Sequence, residues 1–149
     1  PLQFEKMELI PALRNYLKSY ETQSRIKTDF RVSGSENRLL SKTKIFLFRI
    51  IQEALGNVQE HSRAARVSVQ LDIGRDAVTA SIADTGVGFD TAAVSRDPAK
   101  WDHFGLRGMT ERARLIGGEA TIQSKRGHGT RVKIKVPLVK KEAANDGTH

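Results

Sequence analysis

The chain contains no cysteine. That absence removes disulfides, thiolate metal sites and cysteine nucleophiles together, and it fits a reducing compartment. Aromatic residues are scarce at 6%, with a single tryptophan, and they do not interleave with basic residues as in a single-strand nucleic-acid binder. No apolar run approaches the roughly 18 to 20 residues of a membrane span; the longest, Ile45 to Ile51, is broken by Arg49. Gly-x-x-x-x-Gly-Lys and His-Glu-x-x-His are both missing, which excludes a P-loop and a zincin-type metalloprotease. The opening Pro1-Leu2-Gln3-Phe4 has no initiator Met and no basic-then-apolar leader. The expectation is a piece of a longer protein, lying in a cytoplasmic compartment.

What is present suits one modest domain: 149 residues, 38% of them hydrophobic. The net charge of +8 favours an anionic partner or simply a well-solvated basic surface. The basic residues are dispersed; only Lys125-Arg126 and Lys140-Lys141 adjoin. Nothing supplies base readout, so no nucleic-acid partner is expected.

Hydrophobic spacing predicts a helix over residues 5–21 from Leu9, Ile10, Leu13, Leu17 and Tyr20, with Pro11 near its start, where a missing N–H is tolerated. Ile26, Phe30 and Val32 suggest a short strand, and residues 33–37 a turn. The strongest helix spans 41–62, with Ser41 as its N-cap. Val67, Val69, Leu71, Ile73 and then Val78, Ala80, Ile82 alternate as strands around a Gly74-Arg75-Asp76 hairpin turn. Residues 89–103 lack periodicity and read as a long irregular lid. A helix over 106–116 stops at Gly117-Gly118, and strands at 120–124 and 132–136 close the domain. The polar tail, residues 139–149, reads as frayed. Helices and hairpin-like strands in this order predict an α+β fold, a two-layer sandwich with helices on one face of a mixed sheet.

Four patterns can carry chemistry. On the long helix Arg49, Glu53, Asn57, Glu60 and His61 share a face, either a solvent face or a stripe facing a pocket; Asn57 offers a hard oxygen of the kind Mg²⁺ prefers. Gly56 costs that helix about 1 kcal/mol relative to Ala, which suggests close packing or room for something beside it. Asp84-Thr85-Gly86-Val87-Gly88-Phe89 is either a plain turn or a place where backbone nears a flat ligand while Asp84 accepts a hydrogen bond. Gly105-Leu106-Arg107-Gly108 opens a helix, a natural phosphate site or else a hinge. Gly127-His128-Gly129-Thr130 reads by itself as a hairpin turn.

The order and spacing of these patterns resemble the ATPase superfamily of DNA gyrase, Hsp90, histidine kinases and MutL. Residues 52–61, Gln-Glu-Ala-Leu-Gly-Asn-Val-Gln-Glu-His, resemble the asparagine box of histidine kinases. Residues 105–113, Gly-Leu-Arg-Gly-Met-Thr-Glu-Arg-Ala, resemble the second glycine box of the subclass of nitrate sensors and degradative-enzyme sensors. Residues 84–89 and 127–130 match the first and third glycine boxes. Leu9-Ile10-Pro11-Ala12-Leu13 resembles the segment that joins this domain to the phosphoacceptor helices.

The resemblance implies a Bergerat ATP-binding fold over residues 23–138, with residues 1–22 as a linker and first helix. It implies that Asp84 binds the adenine amino group, supported by Thr130 directly or through water. Asn57 would ligate Mg²⁺, Glu53 would position or deprotonate the nucleophile, and His61 would lie near the phosphates. Gly86, Gly88, Gly105 and Gly108 would bring backbone N–H groups to ATP, in a set that also holds Leu106, Arg107 and Gly129, under a lid over 90–104. The implied cofactors are ATP and Mg²⁺. The implied partners are a phosphoacceptor and dimerisation domain outside this chain and a downstream response regulator. The piece itself would be monomeric and its parent a homodimer, soluble or membrane-anchored. An anti-sigma-type serine kinase or ATPase switch of the same superfamily is the alternative, against which the Glu111-Arg112-Ala113 run speaks. Two residues depart from the pattern: Glu60 stands where Lys is common, and Gly56 where Asn is common. The carboxylate at 60 is expected to weaken phosphate affinity.

Overall fold

The computed structural model describes residues 7–138. Alternation drives the sheet. In β2 (Arg66–Ile73), β3 (Ala77–Asp84) and β5 (Thr130–Pro137) every second residue is buried, so Val67, Val69, Leu71, Val78, Ala80, Ile82, Val132, Ile134 and Val136 face the helices. With β1 (Lys27–Ser33) and β4 (Glu119–Ser124) the order is β1-β2-β3-β5-β4. β1 runs parallel to β2 and the other neighbours pair antiparallel. The result is the mixed sheet and α+β sandwich that the sequence predicts.

Helices α1 (Leu9–Ser24) and α2 (Ser41–Asn57) pack their apolar stripes into one core with those strands. α1 begins at residue 9, four residues later than its apolar spacing suggests, because Glu8 is extended at φ −101°. Pro11 is then the third helical residue, where no intrahelical donor is lost. The two preceding N–H groups are satisfied from a distance: Leu9 and Ile10 donate to the two carboxylate oxygens of Glu36 at 2.5 and 3.0 Å. Glu36 opens a short 3₁₀ turn, Glu36–Arg38, and also lies 3.6 Å from Lys44 Nζ.

The long helix is not α-helical throughout. α2 ends at Asn57 and a π turn, Val58–Ser62, follows it. Ser41 is its first helical residue rather than its cap; Leu40 holds the capping position without a side-chain bond.

Residues 89–103 are also more ordered than their lack of periodicity suggests. They contain α3 (Thr91–Ser95) and α4 (Pro98–His103), and Asp90 and Asp97 each accept N–H bonds from the second and third residues of the helix they cap. α5 (Leu106–Leu115) then ends with Gly117 in the left-handed region, and Gly118 donates back to the Ala113 carbonyl at 2.8 Å. The polar tail lies outside the described residues.

Candidate functional site

The ends of α2, β3 and β5 converge with the start of α5, and between them is a cavity of about 190 Å³. Ala54, Ile82, Phe89, Leu106 and Val132 give it apolar walls, and Asp84 and Thr130 stand among them as polar groups. A flat, mostly apolar ligand with a hydrogen-bond donor on its edge fits such a slot. Burial pushes the Asp84 carboxyl above its ordinary value, against the pull of the Gly86 and Thr130 backbone N–H groups. The Gly86 bond to Asp84 Oδ1 is 2.8 Å.

A second, open pocket of about 410 Å³ adjoins the first, lined by Glu53, Asn57, Glu60, His103, Gly105 and Arg107 among others. Asn57 lines both cavities. The amide of Asn57 donates to the Phe104 carbonyl, which leaves the side-chain oxygen as the atom available to a cation. Phe104 stacks on Phe89 with ring centroids 5.0 Å apart and meets His61 edge-on.

The polar pocket holds little cationic charge to offset an anion. Arg107 is engaged by Asp102 at 2.6 Å, and Arg112 Nη1 lies 3.3 Å from Glu53 Oε1. Glu60 is exposed, and its carboxylate lies 3.5 Å from His61 Nε2. That nitrogen is covered and has no hydrogen-bond partner among the described residues. Among the same residues no group of three or more His, Cys, Asp or Glu is placed to hold a metal. Mg²⁺ commonly takes one or two protein oxygens and completes its shell with phosphate and water. One carboxamide oxygen beside a pocket whose cations are already paired fits that manner of binding.

The structure brings Glu53, Asn57, His61, Asp84, Gly88, Leu106 and Thr130 to these two cavities, together with Gly105, Arg107 and Gly108. Gly86 and Gly129 line neither of the two cavities, and each lacks a side chain for a packing reason. A Cβ on Gly86 would lie 2.3 Å from the Ser62 carbonyl, and one on Gly129, at φ +76°, would lie 2.1 Å from the Asp84 carbonyl. Added methyls on Gly105 and Gly108 would press on the Glu53 carboxyl at 3.0 and 3.2 Å. Gly56 has open space where its Cβ would be and lines the polar pocket; of the two reasons given for it above, room is the one realised.

The contacts of three residues escape the sequence reading. Arg112 pairs with Glu53 across 59 positions of sequence. Phe104 lines the apolar cavity and accepts the Asn57 amide bond on its carbonyl. Ser124, at the end of β4, ties the first glycine motif to the third: its hydroxyl accepts from Phe89 N–H at 2.8 Å, donates to the Gly129 carbonyl at 3.0 Å and touches Thr130 Oγ1 at 2.7 Å. Arg112 lies inside the second glycine box and Phe104 ends the lid segment, so sequence marks both positions though not their contacts. Ser124 is one alternating strand residue among many, and no local pattern marks it.

The comparisons agree with this geometry. Residues 42–140 match the family described as histidine kinase-, DNA gyrase B-, and HSP90-like ATPase. The chain is 39% identical over 141 residues to the signal transduction histidine-protein kinase/phosphatase DegS of Bacillus subtilis (strain 168), an alignment covering 93% of this chain and 36% of that protein. It is 31% identical over 138 residues to the oxygen sensor histidine kinase NreB of Staphylococcus carnosus (strain TM300), covering 93% of this chain and 39% of the relative. The chain thus spans little more than a third of the length of these two relatives. In fold it is similar to the Erythrobacter litoralis EL346 blue-light activated histidine kinase, with a TM-score of 0.71 at 18% identity over 95% of this chain and 45% of that one. The slot with its buried carboxylate, the adjoining polar pocket and these likenesses converge: the chain belongs to the histidine kinase-, DNA gyrase B- and HSP90-like ATPase family, as an ATP-binding domain of the histidine kinase type.

Proposed function

We propose that this domain binds Mg·ATP and delivers the γ-phosphoryl group to a histidine on a phosphoacceptor domain outside the chain, in a two-component signalling protein of the cytoplasm. The observation that carries this reading is the pair of cavities joined at Asn57, apolar around Asp84 and polar around Glu53. Adenine enters the apolar slot and gives its amino hydrogens to Asp84 and Thr130. The phosphates lie toward Gly105, Gly108 and the start of α5, where free N–H groups and the helix dipole favour an anion. Bound Mg²⁺ supplies neutralisation of phosphate charge, held from the protein side by the Asn57 oxygen. His61 lines the apolar slot near Asn57, its ring edge-on to Phe104 and its Nε2 covered, and acts by packing rather than by proton transfer. Glu53 receives the proton of the incoming imidazole or orients it, and Arg112 fixes that carboxylate on the α5 side. Phosphoryl transfer asks for positioning and charge neutralisation more than covalent help, and these residues supply both.

In the assembled protein the domain acts beside a dimeric phosphoacceptor unit and feeds a response regulator. The test is transfer in trans. With Mg·ATP and the phosphoacceptor domain of a relative such as DegS, the expected product is phosphate on that domain, labile to acid and stable to base. Glu53→Gln should slow its appearance by about 10² to 10⁴-fold while nucleotide affinity changes little. Nucleotide hydrolysis that never yields phosphohistidine, or phosphate stable to acid, sinks the proposal and points to the serine-kinase alternative.

A further inference from the structure

The oxygen of Ser124 makes three close contacts, and a hydroxyl has only one hydrogen to give. Phe89 N–H can only donate, at 2.8 Å, so it takes one lone pair of Ser124 Oγ. The Gly129 carbonyl can only accept, at 3.0 Å, so it takes the hydrogen. The remaining contact, 2.7 Å to Thr130 Oγ1, needs a proton between two hydroxyl oxygens. Ser124 has none left, so Thr130 is the donor. The opposite assignment would set the Ser124 oxygen against the Gly129 carbonyl oxygen with no proton between them. Ser124 is then saturated, with one bond to carbon, one to hydrogen and two occupied lone pairs.

The consequence falls on Thr130. Its only hydroxyl proton points to Ser124, so toward the cavity it shows lone pairs alone. Its backbone N–H points to Asp84, and an ionised Asp84 carboxylate is an acceptor only. The polar groups at this end of the slot are therefore acceptors, matched to a ring substituent that donates two hydrogens and mismatched to one that is an oxo group. Ser124 lines the outer groove beside Asp84 and Thr130 but not the slot itself, so it acts through Thr130.

We propose that Ser124 is a positioning residue for base selection: by taking the Thr130 proton it fixes the site to accept a 6-amino purine and to reject a 6-oxo purine. This rests on the adenine reading of the slot. A side chain that merely braced the loop would affect all nucleotides alike, whereas a side chain that sets hydroxyl polarity affects the amino and oxo bases differently.

The experiment compares Mg·ADP with Mg·IDP, which carries an oxo group where ADP has its amino group, by calorimetric titration of the whole chain. In wild type ADP should bind far more tightly than IDP. In Ser124→Ala the Thr130 hydroxyl is free to turn and donate, so ADP affinity should fall about tenfold and IDP affinity less than twofold, narrowing the ratio. Ser124→Thr, which keeps the hydroxyl, should restore it. Ser124→Cys keeps the bulk with a weak donor and acceptor; it should narrow the ratio too, and it provides the test if the alanine variant does not fold. Thr130→Val should narrow the ratio as Ser124→Ala does, and the double variant should narrow it no further. An equal loss for both nucleotides, or an unchanged ratio in both the Ala and Cys variants, overturns the proposal. Failure of wild type to bind ADP at all would instead overturn the adenine reading beneath it.

Discussion

At Asp84 one side chain, on the proposed reading, serves recognition at the expense of the fold. A carboxylate among Ile82, Val132 and Phe89 loses water that two backbone N–H groups only partly replace, and its pKa rises above the ordinary 3.8. A carboxyl raised in the folded state binds its proton more tightly there than in the unfolded chain. Its contribution to stability is therefore greatest in acid and is lost as pH rises through the folded-state value. Asp84→Asn removes that penalty. We expect the variant to melt higher than wild type at neutral pH, with the two converging as pH falls toward the ordinary carboxylate range, while Mg·ADP binding is lost at every pH. Urea titrations of both proteins across that range check the sign. A wild type that is the more stable at neutral pH would show that the two N–H bonds outweigh desolvation. Sequence alone placed Asp84 at the end of an alternating strand before two glycines, and that sufficed to nominate it. Its support was less visible, since Ser124 meets Phe89 and Thr130 only once β4 lies against β5.

Among the elements, α1 shows how far apart a helix and its cap can lie. Its apolar stripe of Leu9, Leu13, Leu17 and Tyr20 is legible at three- and four-residue steps, and all four are buried. Its capping carboxylate, Glu36, lies beyond β1, and no local rule finds it. Glu36→Ala leaves the Leu9 and Ile10 N–H groups and Lys44 without that oxygen. We expect a loss of about 1–3 kcal/mol in unfolding free energy, with the first-turn amides of α1 exchanging hydrogen faster than the α2 interior. Uniform exchange across both helices would contradict a local cap. The lid was misread for the opposite reason. Its helices, of 5 and 6 residues, are too short to show a period. Yet Asp90 before Thr91 and Asp97 before Pro98 are ordinary helix-start signals that could have been read. The π turn after Asn57 has no such signal. It depends on tertiary contacts, among them Val87 N–H donating to the Ser62 carbonyl at 2.7 Å, and it separates exposed Glu60 from half-buried His61.

Over the whole molecule, the proposed nucleotide site draws on residues from 53 to 132, in helices α2 and α5, strands β3 and β5 and the segments between them. A ligand spanning Asp84 and Asn57 binds the folded chain and has no counterpart site in the unfolded one. Mg·ADP at a hundred times its dissociation constant should therefore raise the unfolding free energy by about 2.7 kcal/mol. Chelating Mg²⁺ should remove most of that gain, because Arg107, the arginine that lines the polar pocket, is already paired with Asp102. A gain that survives chelation would place the phosphates on protein cations instead.

The strand order also governs the sequence in which the domain can be built during translation. β5 lies between β3 and β4, and both of those precede it in the chain. Until residues 130–137 have left the ribosome, β4 has no neighbour to pair with, and the far edge of β3 is an open row of backbone donors and acceptors. Asp84 is made early, but Thr130, the other half of the proposed base site, arrives with the strand that closes the sheet. If Asp84 and Thr130 hold the base as proposed, a growing chain gains nucleotide binding in the same step that seals its exposed edge, and a ribosome stalled shortly before that point holds a chain with neither.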